Sequence, residues 1–228
     1  MSPLSRLLST FSIVARCPRT RDFGIAVATA RPFVGAAVPW VAWDGAIATQ
    51  AKTNTELGRR ALTLLSHGIS VRVAIEVLLT DDPERDHRQV HGVDRHGAFA
   101  YTGPSCQPWC GDRAGDHWTV AGNLLAGPEV LTAMQEAFTG AEDQALAERL
   151  LRALEAGQKA GGDKRGKQSA ALLVASDDPL PAHNLRVDDH ADPVAELRRL
   201  HELALRFAET LREQYGPEGL KRYRRVKS

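Results

Sequence analysis

Alternating apolar and small polar side chains mark the first strand of the chain. Residues Thr10 to Arg16 have the sequence Thr-Phe-Ser-Ile-Val-Ala-Arg, and a similar alternation returns in Phe23 to Ala28 after a short polar turn. A period of two is typical of a strand with one buried face. The two segments therefore predict an antiparallel hairpin, and Gly45 to Gln50 predicts a further strand.

Apolar residues at helical spacing predict five helices further along the chain. Ser70, Pro128 and Asp192 precede three of them and are residue types that favour the first positions of a helix. The predicted helices cover Glu56 to His67, Ser70 to about Asp81, Pro128 to about Phe138, the surroundings of Leu146 to Leu154, and Asp192 to about Leu211.

The remaining segments predict further strands and one long loop. The strands are Gln89 to Asp94, Ala98 to Thr102, Trp118 to Leu124, Ser169 to Ser176 and Leu185 to Asp188, and the loop is Gly103 to His117. Hairpins imply antiparallel sheets, and paired helices need a sheet face to cover. The predicted fold class is therefore α+β, with two antiparallel sheets packed face to face and helices outside both. One domain is expected over residues 10–215, after an extension of residues 1–9 and before a basic tail of residues 216–228.

Composition and charge limit the partners of the chain. Its 29 basic and 28 acidic residues nearly cancel, which gives no support to a nucleic-acid partner. No apolar run approaches the roughly 20 residues of a membrane span, so no membrane partner is expected. Polar residues interrupt the apolar N-terminal stretch, and Arg16 stands where a signal peptide would have a small residue. The expected location is cytoplasmic.

Three cysteines also argue against a disulfide framework, because the number is odd. Cys106 and Cys110 are separated by three residues and have no second pair to complete a metal or redox motif. We expect them to pack in a loop around Trp109.

Several short motifs together resemble a prokaryotic family named domain of unknown function 1028. They are Thr10 to Arg16, Val38-Pro39-Trp40, Ala48-Thr49-Gln50, Val120 to Pro128, Gly161 to Leu172 and Leu185 to His190. The resemblance extends from Thr10 to about Leu200. It implies the N-terminal nucleophile (Ntn) hydrolase-like superfamily, a four-layer αββα sandwich and an amide-cleaving ancestor, but no particular substrate.

The resemblance implies that Thr10 is the nucleophile, with its own α-amine as the base. An α-amine has an ordinary pKa of about 8 and is a competent base near neutral pH. Nine residues precede Thr10, so the mechanism requires self-cleavage between Ser9 and Thr10, trimming by a protease, or a later start. In the alternative, Thr10 is an ordinary strand residue, blocked at its amine, and the chain is a non-catalytic ligand-binding or assembly protein.

Other polar residues at strand ends are candidates for the same site. Asn123, beside Gly122, is predicted to stabilise the oxyanion or to cap the strand end. Gln50 and Asn54 follow an apolar strand and either line the substrate pocket or satisfy turn backbone.

A glycine-rich loop before the strand at Ser169 supplies a second group of candidates. Asp163 is predicted to orient the Thr10 amine together with Ser169, or to bind a cationic substrate group. Arg165 either pairs with Asp163 or holds a substrate carboxylate, and Gln168 is placed to contact the substrate.

Acidic residues and a histidine near position 190 have the composition of a metal site. However, Asp192 is explained as a helix cap, and neighbouring strand residues such as Asp188 and Asp189 point to opposite faces. We therefore predict no metal and no cofactor, and place Asp189, His190 and Arg186 in a substrate pocket. The expected partner is a small-molecule amide substrate, and a homo-oligomer is expected by analogy.

Overall fold

The computed structural model of the chain describes residues 10–176 and 184–224, with side chains described as far as residue 216. Two antiparallel sheets and six α-helices form a mixed α+β fold in these residues. The predicted extension over residues 1–9 lies outside the described part of the chain. Among the described helices, none combines the length and apolar character that crossing a membrane requires.

Ten strands make up the two sheets of the described residues. In chain order they are β1 (Thr10–Arg16), β2 (Phe23–Thr29), β3 (Pro39–Ala42), β4 (Gly45–Ala51), β5 (Arg88–Asp94), β6 (Ala98–Thr102), β7 (Gly111–Ala114), β8 (Trp118–Asn123), β9 (Ser169–Ala175) and β10 (Asn184–Val187). The larger sheet has the order β10-β9-β2-β1-β8-β7, and the smaller has the order β3-β4-β5-β6. β1 is therefore an interior strand, hydrogen-bonded to β2 on one side and β8 on the other.

Six helices accompany the sheets. They are α1 (Val34–Ala37), α2 (Thr55–Ser66), α3 (Val71–Thr80), α4 (Glu129–Thr139), α5 (Leu146–Lys159) and α6 (Pro193–Arg224). Apolar residues of α4 and α5 form one core cluster with the larger sheet, and those of α2 and α3 form another with the smaller sheet. The five helices predicted from apolar spacing are confirmed, and Ser70 caps α3 by accepting a hydrogen bond from the Val73 amide.

Side chains of β1 alternate between two different environments. Phe11 and Ile13 belong to the cluster formed with α4 and α5, whereas Val14 packs with residues of both sheets. Ser12 also points toward the smaller sheet, where it contacts β4 and β5 side chains. The space between the sheets is thus apolar around Val14 and polar toward Thr10, the first residue of β1.

Several elements differ from the sequence prediction: α1 and β3 were not predicted, and further differences concern β7 and the end of α6. The segment expected to be a loop over Gly103 to His117 contains β7, which pairs with β8 so that Gly111 lies opposite Gly122. Glycine and aspartate have low strand propensity, so composition hides an edge strand that backbone pairing creates. At the other end, α6 runs to Arg224 and is interrupted at Gly216, whose φ of 66° places it in the left-handed region.

Candidate functional site between the two sheets

Thr10 stands at the head of β1 with a buried hydroxyl. Thr10 is fully buried, and none of the described residues forms a hydrogen bond with its Oγ1. A buried polar group without a partner costs about 1–3 kcal/mol, so such groups are uncommon in folded proteins. The hydroxyl is therefore an exception that calls for a partner from outside the described residues.

Asn123 lies directly opposite Thr10 in the pairing of β1 with β8. The side chain is buried, and its Nδ2 donates a hydrogen bond of 3.0 Å to Gln89 Oε1 of the smaller sheet. This contact holds the Asn123 carboxamide in one orientation between the sheets. The structure thus brings together Thr10 and Asn123, two residues that the sequence analysis assigned to one site.

Gln89 is the centre of a polar network that connects the sheets. Its Oε1 accepts hydrogen bonds from Asn123 and from Gln50 Nε2, the latter at 2.8 Å. Its Nε2 lies 2.8 Å from Thr102 Oγ1 and 2.9 Å from the Gly122 carbonyl. Further hydrogen bonds extend this group of side chains, which we call the polar network. It consists of Ser12, Gln50, Gln89, His91, Thr102, Asp112, Thr119 and Asn123.

Ser12 and His91 resemble a nucleophile–base pair within the polar network. Ser12 Oγ lies 2.8 Å from His91 Nε2, but its own proton is donated to Gln50 Oε1 at 2.6 Å. His91 Nε2 must then be the donor to Ser12, and His91 Nδ1 accepts from Thr119 Oγ1 at 2.8 Å. A ring nitrogen that donates a proton cannot remove one, so this pair does not activate Ser12.

Burial lowers the pKa of His91 to about 3, because the ring is fully enclosed and its charged form loses solvation. In the unfolded chain the same ring titrates at about 6.5. The folded state thus keeps His91 neutral while the unfolded state takes up a proton. Its contribution to stability is complete above about pH 6.5 and is lost as the pH falls toward 3.

We expect His91→Gln to flatten the acid side of the stability profile. Between about pH 7 and pH 5, the free energy of unfolding of the unmodified chain should fall by about 2 kcal/mol more than that of the variant. Urea unfolding at each pH measures the difference. His96→Gln, a change at an exposed ring, is the control and should keep the original slope. Parallel slopes for the unmodified chain and His91→Gln would contradict the assignment.

Asp163 is buried at the same end of the larger sheet but is held by other groups. Its Oδ2 accepts from the Ala30 amide at 2.9 Å and from Arg165 Nη2 at 3.0 Å, and its Oδ1 accepts from the Arg165 amide. A β-bridge also joins Asp163 to Leu125. The predicted pairing of Asp163 with Arg165 is present. The described partners of the carboxylate do not include Thr10.

Ser169 is paired with Thr29 at the head of β9, two strands away from β1. Its hydroxyl donates to the Arg31 carbonyl at 2.5 Å and accepts from the Val34 amide at 3.1 Å. These contacts secure the connection from β2 to α1. The neighbouring Gln168 donates to Asp189 at 3.2 Å, so among described residues neither side chain reaches Thr10.

Gln50 and Asn54, which the sequence left with two interpretations each, have different roles. Gln50 belongs to the polar network, where it links Ser12 to Gln89. Asn54 is the N-cap of α2 and accepts a hydrogen bond from the Glu56 amide at 3.1 Å. Asn54 therefore fits the second interpretation, in which its side chain forms a hydrogen bond with the backbone of the turn.

Arg186, Asp189 and His190 lie at or just beyond β10, the outer strand of the larger sheet. β10 is three strands from β1, which corresponds to about 14 Å across the sheet. Arg186 pairs with Asp188 at 2.8 Å, and His190 Nδ1 accepts from the Asp192 amide at 3.0 Å. The structure therefore separates these candidates from Thr10. In the described ranges, no group of three or more His, Cys, Asp or Glu side chains is placed to hold a metal ion.

The three cysteines are free thiols. Cys106 donates to the Arg88 carbonyl, and burial raises the pKa of its thiol to about 12. Cys110 donates to the Cys106 carbonyl, while Trp109 packs against the cluster formed with α4 and α5. The contacts of Cys106 and Cys110 thus show that these two residues pack within the loop.

Most residues of the polar network were not predicted from the sequence. Ser12, Gln89, His91 and Thr119 each occupy a strand position that faces the opposite sheet. The available signal was their alternation with apolar residues, since Gln89 and His91 flank Val90, which faces the helices of the smaller sheet. That signal identifies a polar face, but it does not identify the partners.

Comparison with known proteins assigns the chain to a family. The model of a family of unknown function, DUF1028, matches residues 10–197, and the chain belongs to this family. A solved structure, protein SPO2555 from Silicibacter pomeroyi, is assigned to the same family. The two chains are 36% identical, 86% of each is covered, and the TM-score is 0.79. No curated protein matches the chain.

Proposed function

We propose that the chain is an Ntn-type amidohydrolase that cleaves a small-molecule amide bond with Thr10 as its N-terminal nucleophile. The observation that carries this proposal is the buried, unpartnered Thr10 hydroxyl opposite the anchored Asn123 carboxamide. The family match, which begins at residue 10, supports it as well.

The arrangement of the elements supports an Ntn-like four-layer αββα sandwich as part of this proposal. Residues of both sheets, such as Val14 and Ala48, share one apolar cluster, so the sheets face each other. Three helices, α4, α5 and α6, pack on the larger sheet, and two, α2 and α3, pack on the smaller. Thr10 is the first residue of β1, an interior strand of the larger sheet.

In the proposed reaction, the free α-amine of Thr10 takes the proton of the Thr10 hydroxyl as the oxygen attacks the substrate carbonyl. Asn123 stabilises the negative oxygen of the tetrahedral intermediate, and Gln89 keeps its carboxamide oriented beforehand. The carbon–nitrogen bond then breaks, and the leaving amine takes the proton from the α-amine. Water hydrolyses the resulting ester and restores Thr10.

The proposal requires that the peptide bond between Ser9 and Thr10 is cut. We expect intact mass and N-terminal sequencing of protein from the native host to show a chain that begins at Thr10. A chain produced with Thr10 as its first residue should be acylated there by a β-lactone, whose strained ester reacts with activated hydroxyls. The same chain with residues 1–9 attached is the matched control and should not react.

An alternative of a different class is a non-catalytic ligand-binding or assembly protein of the same fold, with Thr10 blocked. The complete burial of Thr10 favours it. Isolation from the host of a stable chain that still carries Met1 to Ser9 would support this alternative and sink the catalytic proposal.

A further inference from the structure

A cavity lies at the end of β1 opposite to Thr10, beside Arg16. Its volume is about 490 Å³, which is sufficient for a small metabolite. Thr10 and Arg16 are six residues apart along the strand, or about 20 Å. We call it the distal cavity, and the side chains that matter here are Arg16, Cys17, Arg19, His117 and Arg149.

Arg149 is a buried cation without an acidic partner. Only 7% of the residue is exposed, and no carboxylate of the described residues lies within 4 Å of its guanidinium. The group stacks on the Phe138 ring at 4.1 Å and donates through Nε and Nη2 to the Phe138 carbonyl at 3.4 and 3.3 Å. A carbonyl dipole compensates a full charge poorly, so this guanidinium is suited to an anion from outside the chain.

Two further arginines of the distal cavity also lack an acidic partner among the described residues. Arg19 donates to the Glu142 carbonyl at 2.7 Å, and Arg16 donates through Nη1 to the Arg95 carbonyl at 3.1 Å. Arg16 Nε and His117 Nδ1 are buried atoms for which the described chain provides no hydrogen-bond partner. Arg16 Nε is therefore a buried donor at this cavity that no described residue satisfies.

Acidic residues of the distal cavity do not neutralise these arginines. Asp116, Glu142 and Asp143 are all exposed, which places their carboxylates at the solvent side, while Arg149 is the buried charge. Salt bridges between exposed groups are weak in any case, because solvent screens them. Burial lowers the pKa of the Arg149 guanidinium, and the distant charges of Glu142 and Asp143 offset this only in part.

The surroundings of Cys17, which also lines the distal cavity, favour negative charge. Burial alone would raise the pKa of its thiol, but hydrogen bonding with Thr20 and Arg19 outweighs burial and lowers it. Donors beside the distal cavity thus favour the charged form of this thiol.

We propose that the distal cavity binds a small ligand through a carboxylate or phosphate group, with Arg149 as the buried anchor and Arg19 as a second contact. Guanidinium groups bind both oxyanions through paired hydrogen bonds. The site is separate from Thr10, and it does not depend on the proposed amidohydrolase activity.

Isothermal titration calorimetry with the full chain tests this inference, with inorganic phosphate and succinate as separate probes. We expect one of them to bind with one site per chain at concentrations below about 10 mM. The probe that binds distinguishes a phosphate ligand from a carboxylate ligand. If neither binds, the inference is overturned.

Variants locate the binding. Arg149→Met, which keeps a long side chain to cover the Phe138 ring, should abolish binding. Arg19→Gln alters an exposed residue that folding tolerates, and it should weaken binding about tenfold. Arg206→Gln, an exposed arginine of α6, and Thr10→Ala are controls that should bind normally. Unchanged affinity in Arg19→Gln and in a folded Arg149→Met would place the ligand elsewhere and refute the assignment.

Discussion

Thr10→Ala, in a chain that begins at residue 10, is expected to reduce amide hydrolysis by about 10⁴-fold or more. The variant keeps the α-amine but lacks the hydroxyl that forms the ester, so no acyl-enzyme can accumulate. Intact mass after incubation with a β-lactone measures this directly, as the presence or absence of the adduct on residue 10.

Thr10→Ser is the matched control, because it retains a hydroxyl on the same carbon relative to the amine. We expect it to form the adduct. Stability supplies a second readout: the Thr10 hydroxyl has no described partner, so its removal should not lower the free energy of unfolding by more than about 1 kcal/mol. Equal adduct formation by Thr10→Ala would exclude Thr10 as the nucleophile.

Gln89→Leu is expected to destabilise the fold by about 3–5 kcal/mol, the largest stability effect that we anticipate. Leucine has a similar volume but cannot accept from Gln50 and Asn123 or donate to Thr102 and the Gly122 carbonyl. Several buried polar groups would then lose a partner at once, and each loss carries a desolvation penalty. Urea unfolding at neutral pH measures the change.

Gln107→Leu serves as the comparison for Gln89→Leu, since it makes the same chemical change at an exposed side chain. Its effect should stay within about 0.5 kcal/mol. If the two variants lost similar amounts of stability, the polar network would not be the element that connects the sheets.

Local patterns predicted the elements of this fold well. The alternation of Thr10 to Arg16 predicted β1, and apolar spacing predicted α2 to α5 to within about five residues and the start of α6, but not its end at Arg224. Ser70 and Asp192 marked helix starts because their side chains accept hydrogen bonds from amides of the next residues in sequence. Pro128 marked the start of α4 without a capping hydrogen bond from its side chain. The edge strand β7 was missed, because its residues form a strand only through pairing with β8.

The candidate site was predicted in part. Asn123 was placed with Thr10 from its position at a strand end, and the pairing of β1 with β8 puts the two residues opposite each other. Asp163 and Ser169 were assigned to the same site, yet their polar atoms are occupied by Arg165 and by the loop after β2. Sequence position could not reveal these hydrogen bonds, because the loops bind the polar atoms of Asp163 and Ser169 only in the folded chain.

The amino-acid sequence alone determines the periodicity of each strand and helix, and which face of the element is buried. Both depend on residues within a few positions of one another. Only the folded structure decides which polar faces meet. Ser12 contacts His91 across 79 positions, and Arg149 lies beside a cavity that β1 also lines. Such contacts depend on how two sheets and a helix are packed, and this packing brings a lone hydroxyl and an unpaired guanidinium to opposite ends of the same strand.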